Sequence, residues 1–327
     1  MTCSQRLWLT VWATLSVLAT LPASTALAQA DYPSRPLRIV VGFAPGGSND
    51  IVARLLAERL QKSLGQPAVV ENKPGGGGAV AATFVKSQPA DGYTLMVGAS
   101  GAMVVGPAIG APAQYDTLRD FEPVSLLVTF PLVLIVNGDS PNKSLKDLVA
   151  WSKANPSSSN YGSASPTFTL AAELLKLRTG ASMQRVSYRG SNDAVVAVLG
   201  NQVTAAMTDP LPAIPLIKDG KLRALAVTSP ARLAELPDVP TMSEAGIAGA
   251  EAVFWTGLFA PKGTPTEIIT RLEAEVKSAM QDREIQQRLR LLATDADSSS
   301  PAQFADRIRA DLKAWAEVAK AANVTVE

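Results

Sequence analysis

The chain has 327 residues, 47% of them hydrophobic, and a formal charge of +1, which is enough length for two ordinary domains and a composition normal for a globular protein. With 30 basic and 29 acidic residues it lacks the basic footprint of a nucleic-acid binder. No histidine is present and the single cysteine is Cys3, so Ser-His-Asp triads, disulfides and the common His or Cys zinc sites are excluded, and a cysteine nucleophile is excluded from everything after the N-terminal segment.

That segment is a different material from the rest. Arg6 is its only charge, Leu7 to Leu21 form an apolar core too short for a comfortable membrane span, and "ASTALAQA" offers small-residue cleavage sites after Ala28 or Ala30. Residues 1–28 therefore read as a secretory signal peptide, with Cys3 too early for a lipoprotein site, and the mature protein is expected in the periplasm. Without Arg6 the balance is 29 basic against 29 acidic residues.

Strand and helix signals alternate from there. Leu37 to Phe43, Ala68 to Glu71 and Tyr93 to Gly98 read as strands, and between the first two Ile51, Leu55, Leu56, Leu60 and Leu64 keep a helical period that stops at Gly65. This is a parallel βαβ pattern. Ser144, with Asp147 three residues on, is a plausible N-cap for the helix "LKDLVAWSKA", and the alternation continues through "QRVSYRG", "DAVVAVLG", "VTAAM" and "LRALAVTS". The glycines of Pro74 to Gly78 and the serines Ser157 to Ser159 read as loops, and no internal repeat stands out. With no Pro- or Ser-rich linker, the chain is expected to cross between two α/β lobes as paired strands, Val124 to Val136 going out and Leu222 to Ser229 coming back. The C-terminal helices, "PTEIITRLEAEVKSAM" and "PAQFADRIRADLKAWAEVAKAA", each open with a proline suited to a first turn.

The loop "GFAPGGSND", Gly42 to Asp50, lies between a strand and a helix and invites an anion. No Gly-Lys-Ser/Thr follows it, and Gly42, Gly46 and Gly47 do not fit the dinucleotide fingerprint. What remains is close backbone approach at Gly46 and Gly47, a helix capped by Ser48 or Asn49, and a dipole that favours negative charge. An ordinary strand-to-helix turn explains the same residues equally well.

Several long stretches carry a more specific signal. "YPSRPLRIVVGFAPGGSNDIVARLLAERLQKSLGQPAVVENKPGGGG", "PADGYTLMVGASG", "LRALAVTSPARLAELPDVPTMSEAG" and "FWTGLFAPKGTP" resemble, in order from Tyr32 to about Ala322, the Bug family of periplasmic solute receptors of tripartite tricarboxylate transporters. The resemblance implies an α/β type II periplasmic binding-protein fold, with residues 31–128 plus 226–327 as one lobe, residues 129–225 as the other, and a cleft between them that closes on one small carboxylate. It places Phe43, Ala44, Gly46, Gly47, Ser48 and Asp50, with Ser100, Gly101 and Ala102, on the cleft from the first lobe. From the second lobe it places Ser163, Ser165, Thr167, Phe168 and Thr169, and the loop from Asp209 to Leu211. Ligands in the family are held by backbone amides, helix ends, hydroxyls and bridging water, which agrees with a carboxylate held by amides rather than an Arg clamp.

Asp209 in "TDPLP" has the chemistry of a turn former, and the resemblance makes it instead an acceptor for a ligand amine, hydroxyl or water. Arg54 reads as a helix-face cation, and Lys73 and Arg189 as loop-surface charges. Where relatives commonly read Ser-Gly-Thr-His and then Asn-Pro, this chain has Ser100, Gly101, Ala102, Met103 and later Gly106, Pro107, so three polar side chains are missing. A glycine-rich turn with a histidine is replaced by "SASPTFTLAAE", in which Phe168 is either a pocket wall or core. The expected function is capture of a small organic carboxylate, aromatic or largely apolar, for the integral membrane subunits of a transporter. No reaction, metal or cofactor is expected, and the protein is expected to be a monomer. Docking on a membrane sensor kinase is the alternative, and an exported hydrolase is disfavoured by the missing His and Cys.

Overall fold

The computed structural model describes residues 32–111, 113–188 and 190–324. The signal-peptide reading, its cleavage sites and Arg189 fall outside the described residues. Chain contacts separate an N-terminal unit, Met1–Ser34, of which only residues 32–34 are described, from the body of the protein, Arg35–Glu327.

The body begins with the apolar strand β1 (Leu37–Val41), buried at four of its five positions, and the helix α1 (Ser48–Leu64). Helix α1 buries Val52, Leu55, Leu56 and Leu60 along one stripe and stops where Gly65 takes φ 70°, a left-handed cap that glycine adopts without strain. Then come β2 (Ala68–Asn72), α2 (Ala79–Lys86) and β3 (Thr94–Ala99), a π-helical turn at Gly101–Val105 running into the short α3 (Gly106–Ala108), and α4 (Thr117–Asp120). Strand β1 pairs in parallel with β2 and β3, as the alternation predicts.

The run Val124 to Val136 is not one strand but two. Strand β4 (Phe121–Pro131) belongs to the first sheet and β5 (Val133–Asn137) to the second, with Leu132 alone between them. The second sheet then collects α5 (Leu145–Ala154), β6 (Asn160–Ser163), α6 (Pro166–Thr179), β7 (Gln184–Ser187), α7 (Ser191–Leu199), β8 (Ala205–Thr208), α8 (Pro210–Lys218) and β9 (Leu222–Val227). Helix α5 starts at the reciprocal capping box of Ser144 and Asp147. Strand β9 stays in the second sheet, and the chain returns through residues 228–252 to β10 (Val253–Pro261). The lobe limits expected at 128 and 226 thus lie inside β4 and β9.

The chain ends with α9 (Thr266–Met280), α10 (Arg283–Arg290), β11 (Asp295–Ala296) and α11 (Pro301–Ala321). Pro301 occupies the first turn of α11, whereas Pro265 precedes α9 as its N-cap residue. The first sheet has the order β11-β4-β10-β3-β1-β2 and the second β7-β6-β8-β5-β9. In the first, β10 runs antiparallel between β3 and β4. Gly257 of β10 makes room there for Phe304 of α11: a Cβ at that glycine would sit 2.2 Å from the Phe304 ring. Phe304 packs in turn against Trp255 and Phe259, with ring centroids 5.0 and 5.1 Å away.

Candidate functional site

Four helices begin just after the carboxyl ends of parallel strands: α1 after β1, α6 after β6, α7 after β7 and α8 after β8. In open α/β sheets ligands sit at such ends. All four helix starts line one cavity of about 610 Å³, through Gly47 and Ser48, Ser165 and Pro166, Gly190 and Ser191, and Asp209 and Pro210. Both sheets therefore contribute to its wall.

The four ends are not capped alike. The Ser165 hydroxyl accepts the Phe168 amide at 3.3 Å, while α1 and α7 start after glycines, Gly47 and Gly190, without a side-chain cap. Neither Ser48 nor Asn49 caps α1, contrary to expectation. Ser48 is already in the first turn, and the Asn49 side-chain Oδ1 accepts the Thr256 hydroxyl at 2.6 Å. Helix α8 starts after Asp209, whose carboxylate accepts the Ser191 hydroxyl at 2.7 Å instead of capping its own helix. The first amides of a helix have no intrahelical partner, so those of α1 and α7 face the cavity as ready donors, reinforced by the helix dipole.

The loop before α1 is braced from behind. Asp50 is buried and accepts hydrogen bonds from the Gly46 amide, Arg54 Nε and Asn72 Nδ2, each at 2.9 Å. Burial alone raises its pKa, but the bonds from Arg54, Gly46 and Asn72 together outweigh that and hold the carboxyl below its ordinary range. Gly46 has φ 83°, which a residue with a Cβ adopts only under strain. On the cavity floor the Ser100 hydroxyl accepts the Trp255 amide at 3.2 Å, and Tyr115 donates to the Ala102 carbonyl at 2.7 Å.

Among the described residues, Asp209 is the only charged side chain that lines the cavity. It keeps some surface toward the opening while protein crowds it on its other sides. Desolvation pushes its carboxyl above the ordinary 3.8, and the Ser191 hydrogen bond pulls partly back. The remaining wall is mostly apolar, with Phe43, Ile109, Tyr115, Phe130, Phe168 and Leu292 as its larger members. Such an arrangement binds an anion by amides and an apolar body by contact. Among the described residues no group of His, Cys, Asp and Glu is arranged to hold a metal ion.

Residues 52–324 match the family described as "Tripartite tricarboxylate transporter family receptor". The chain belongs to this family. Protein BugT of Bordetella pertussis is 36% identical over 311 residues, covering 94% of both chains. Among solved structures, R. palustris Rpa4515 with adipate is similar at 33% identity and a TM-score of 0.80, covering 90% of this chain and 99% of that one. MatC (Rpa3494) from Rhodopseudomonas palustris with bound malate is similar at 32% identity and a TM-score of 0.76, covering 88% and 99%. The fold is that of the periplasmic binding proteins, and the family consists of non-catalytic periplasmic solute receptors. No helix among the described residues is long and apolar enough to cross a membrane.

In this receptor Phe43, Gly47, Ser48, Ser100, Gly101 and Ala102 line the cavity from the first sheet's side, and Ser165, Thr167, Phe168 and Asp209 line it from the second. Ala44, Gly46, Asp50, Ser163 and Thr169 do not. Asp50 and Gly46 shape the α1 loop. Ser163 and Thr169 bond each other at 2.9 Å and the Ser165 carbonyl at 3.1 Å, which fixes the start of α6. Of the three residues that stand in place of polar family positions, Ala102 and Gly106 line the cavity, whereas Met103 is fully buried and absent from the lining. Trp255 is fully buried and absent from the lining, and its amide donates to the lining residue Ser100. Arg54 pairs with Asp50, and Lys73 pairs with Glu71.

The sequence reading missed Gly76 and Gly77, Tyr115, Phe130, the α7 start, Thr256 and residues 292–294. One of these carried a signal: Gly-Ser-Asn-Asp at residues 190–193 repeats the 47–50 tetrapeptide, and both copies stand at the uncapped start of a helix.

Proposed function

We propose that this receptor is an exported, monomeric protein that captures a small organic acid with a largely apolar or aromatic body and hands it to the integral membrane subunits of a tripartite tricarboxylate transporter. The observation that carries the reading is a cavity with uncapped helix starts and no cation among its described lining residues. One carboxylate sits at the α1 start, where glycine lets the ligand approach the amides. The body lies along Phe130, Tyr115, Ile109 and Phe168, where each buried methylene contributes about 0.8 kcal/mol. The opposite end meets Asp209, which accepts a hydrogen bond from a hydroxyl or amine. A second unpaired carboxylate against that apolar wall is strongly unfavourable. Similarity to an adipate-bound and to a malate-bound protein at nearly equal identity does not choose between ligands; the mostly apolar lining supports the more apolar kind.

A thermal-shift panel of carboxylates tests this. Saturation at about 100 times Kd adds roughly 2.7 kcal/mol to the folded state, which at about 2 to 4 °C per kcal/mol moves the melting point by several degrees. A panel in which only neutral sugars or cations stabilise the protein refutes the reading. Export is checked separately by the N-terminal sequence of the secreted protein, expected to begin after Ala28 or Ala30.

A further inference from the structure

The chain crosses between the two sheets twice, and the crossing points lie side by side. Leu132 separates β4 of the first sheet from β5 of the second, Thr228 follows the last residue of β9 in the second, and Ala252 precedes β10 in the first. Leu132 and Thr228 are fully buried and Ala252 nearly so.

Four hydrogen bonds meet at Thr228. Its amide donates to the Leu132 carbonyl at 2.9 Å, and its carbonyl accepts the Ala252 amide at 3.0 Å. Its side chain spans the same two residues: the hydroxyl oxygen accepts the Leu132 amide at 2.7 Å, and the hydroxyl donates to the Ala252 carbonyl at 2.6 Å. One threonine hydroxyl thus satisfies a donor of the outgoing strand and an acceptor of the incoming one, at the level where both sheets have ended and no ladder bond is available to either. Buried backbone groups at such a junction need a partner, and a hydroxyl that both donates and accepts can serve two at once.

We propose that Thr228 is the positioning residue of the hinge: its hydroxyl pins the crossing strands to one another and so fixes how the two lobes are set relative to each other in the ligand-free protein. Thr228 does not line the cavity. Its influence on binding runs through the lobes, because a ligand that draws them together works against whatever orientation the hinge prefers, and the preference lowers or raises apparent affinity in proportion to the population of the competent state. The proposal concerns the ligand-free hinge and needs no ligand for its test, so its failure and the failure of the carboxylate reading are distinguishable.

The test is a distance measurement across the lobes. In a Cys3→Ser background no cysteine remains, and Val69→Cys on β2 with Val196→Cys on α7 places a spin label on an exposed site of each lobe. Thr228→Val keeps the shape and removes the hydroxyl, while Thr228→Ser keeps the hydroxyl. The expected result is a shifted or broadened pulsed-dipolar distance distribution in Thr228→Val, with Thr228→Ser matching the unsubstituted protein. A Thr228→Val protein that melts earlier but keeps the parent distribution overturns the proposal, as does a Thr228→Ser protein as perturbed as the valine variant. Should neither variant fold, amide exchange in the parent decides. The Leu132 amide is expected to be as protected as those of the β5 ladder, and exchange about tenfold or more faster than theirs, equivalent to about 1.4 kcal/mol, overturns the assignment.

Discussion

Replacing Gly47 by valine separates ligand recognition from folding at the α1 start. Gly47 has φ −78° and ψ 166°, extended values that suit a β-branched residue, and a Cβ there meets nothing closer than the Ala44 carbonyl oxygen at 3.6 Å. The fold should therefore accept the substitution. The valine methyls instead fill the space in front of the first α1 amides, which the carboxylate must approach. Two hydrogen bonds to a charged acceptor at the low end of their range, about 1.5 kcal/mol each, amount to about 3 kcal/mol, or roughly two orders of magnitude in Kd. The assay is isothermal titration with the acid giving the largest shift in the carboxylate panel, beside a ligand-free melt. The expected outcome is an affinity loss of that size with a melting point within about 2 °C of the parent, less than about 1 kcal/mol of stability. Gly46→Val is the matched control: at φ 83° it strains the backbone by about 1–2 kcal/mol and should lower the melting point. Parent affinity in a folded Gly47→Val protein refutes the amide-held carboxylate.

Asp209→Asn should weaken binding of a hydroxylated acid by about 1–3 kcal/mol and weaken that of its deoxy analogue less, as read by titration of the pair. Because the Asp209 pKa is raised in the folded state, the parent binds more protons folded than unfolded, and this group's contribution to stability falls as pH rises from about 3.8 through the folded value. The ligand-free Asn variant should accordingly be the more stable of the two at pH 7, with the gap closing below pH 4 in denaturant titrations. Gly257→Ala should cost about 1–3 kcal/mol by overpacking Phe304, visible as a melting point lower by several degrees with the affinity of the surviving native protein little changed. Along a series of monocarboxylates, affinity should rise by about 0.8 kcal/mol per methylene until the cavity fills, and citrate binding as tightly as the best member argues against Ala102, Gly106 and Phe168 as ligand walls.

What could be read from the sequence was what is decided locally. The glycine that stops α1 and the Ser144–Asp147 box that starts α5 depend on a handful of adjacent residues, and both stand where the periodicity put them. The break at Leu132 was hidden because β4 and β5 are both buried, so the apolar run passes through the hinge without a polar mark. Helix α10 went unnoticed for the opposite reason: it buries only Ile285 and Leu289, four apart, in an otherwise polar stretch. The same division holds in the site. The α1 loop announces itself in nine residues. Phe130 joins the wall from β4 and residues 292–294 join it just before β11, which pairs with β4, and nothing near them in sequence says so.

In the proposed function the anion is gripped by amides rather than by a cation. Amides at a helix start are fixed by the backbone and cost no side-chain ordering, and with no cation among the described lining residues there is no buried positive charge to leave unpaired when the site is empty. The same amides, however, read only a carboxylate and are indifferent to what is attached to it. Discrimination then comes from the wall, and Ala102, Gly106 and Phe168, the last at the start of α6, put apolar surface or no side chain on it where the family resemblance leads one to expect polar groups or a glycine-rich turn. The one charged side chain in the described lining is Asp209, which is partly buried, has no cation beside it among the described lining residues, and is costly to ionise in the empty protein. A costly acid facing an apolar chamber is least unfavourable when a ligand brings it a donor, so under the proposed function the two features together favour an acid with an apolar body and a hydroxyl or amine at the end away from its carboxylate.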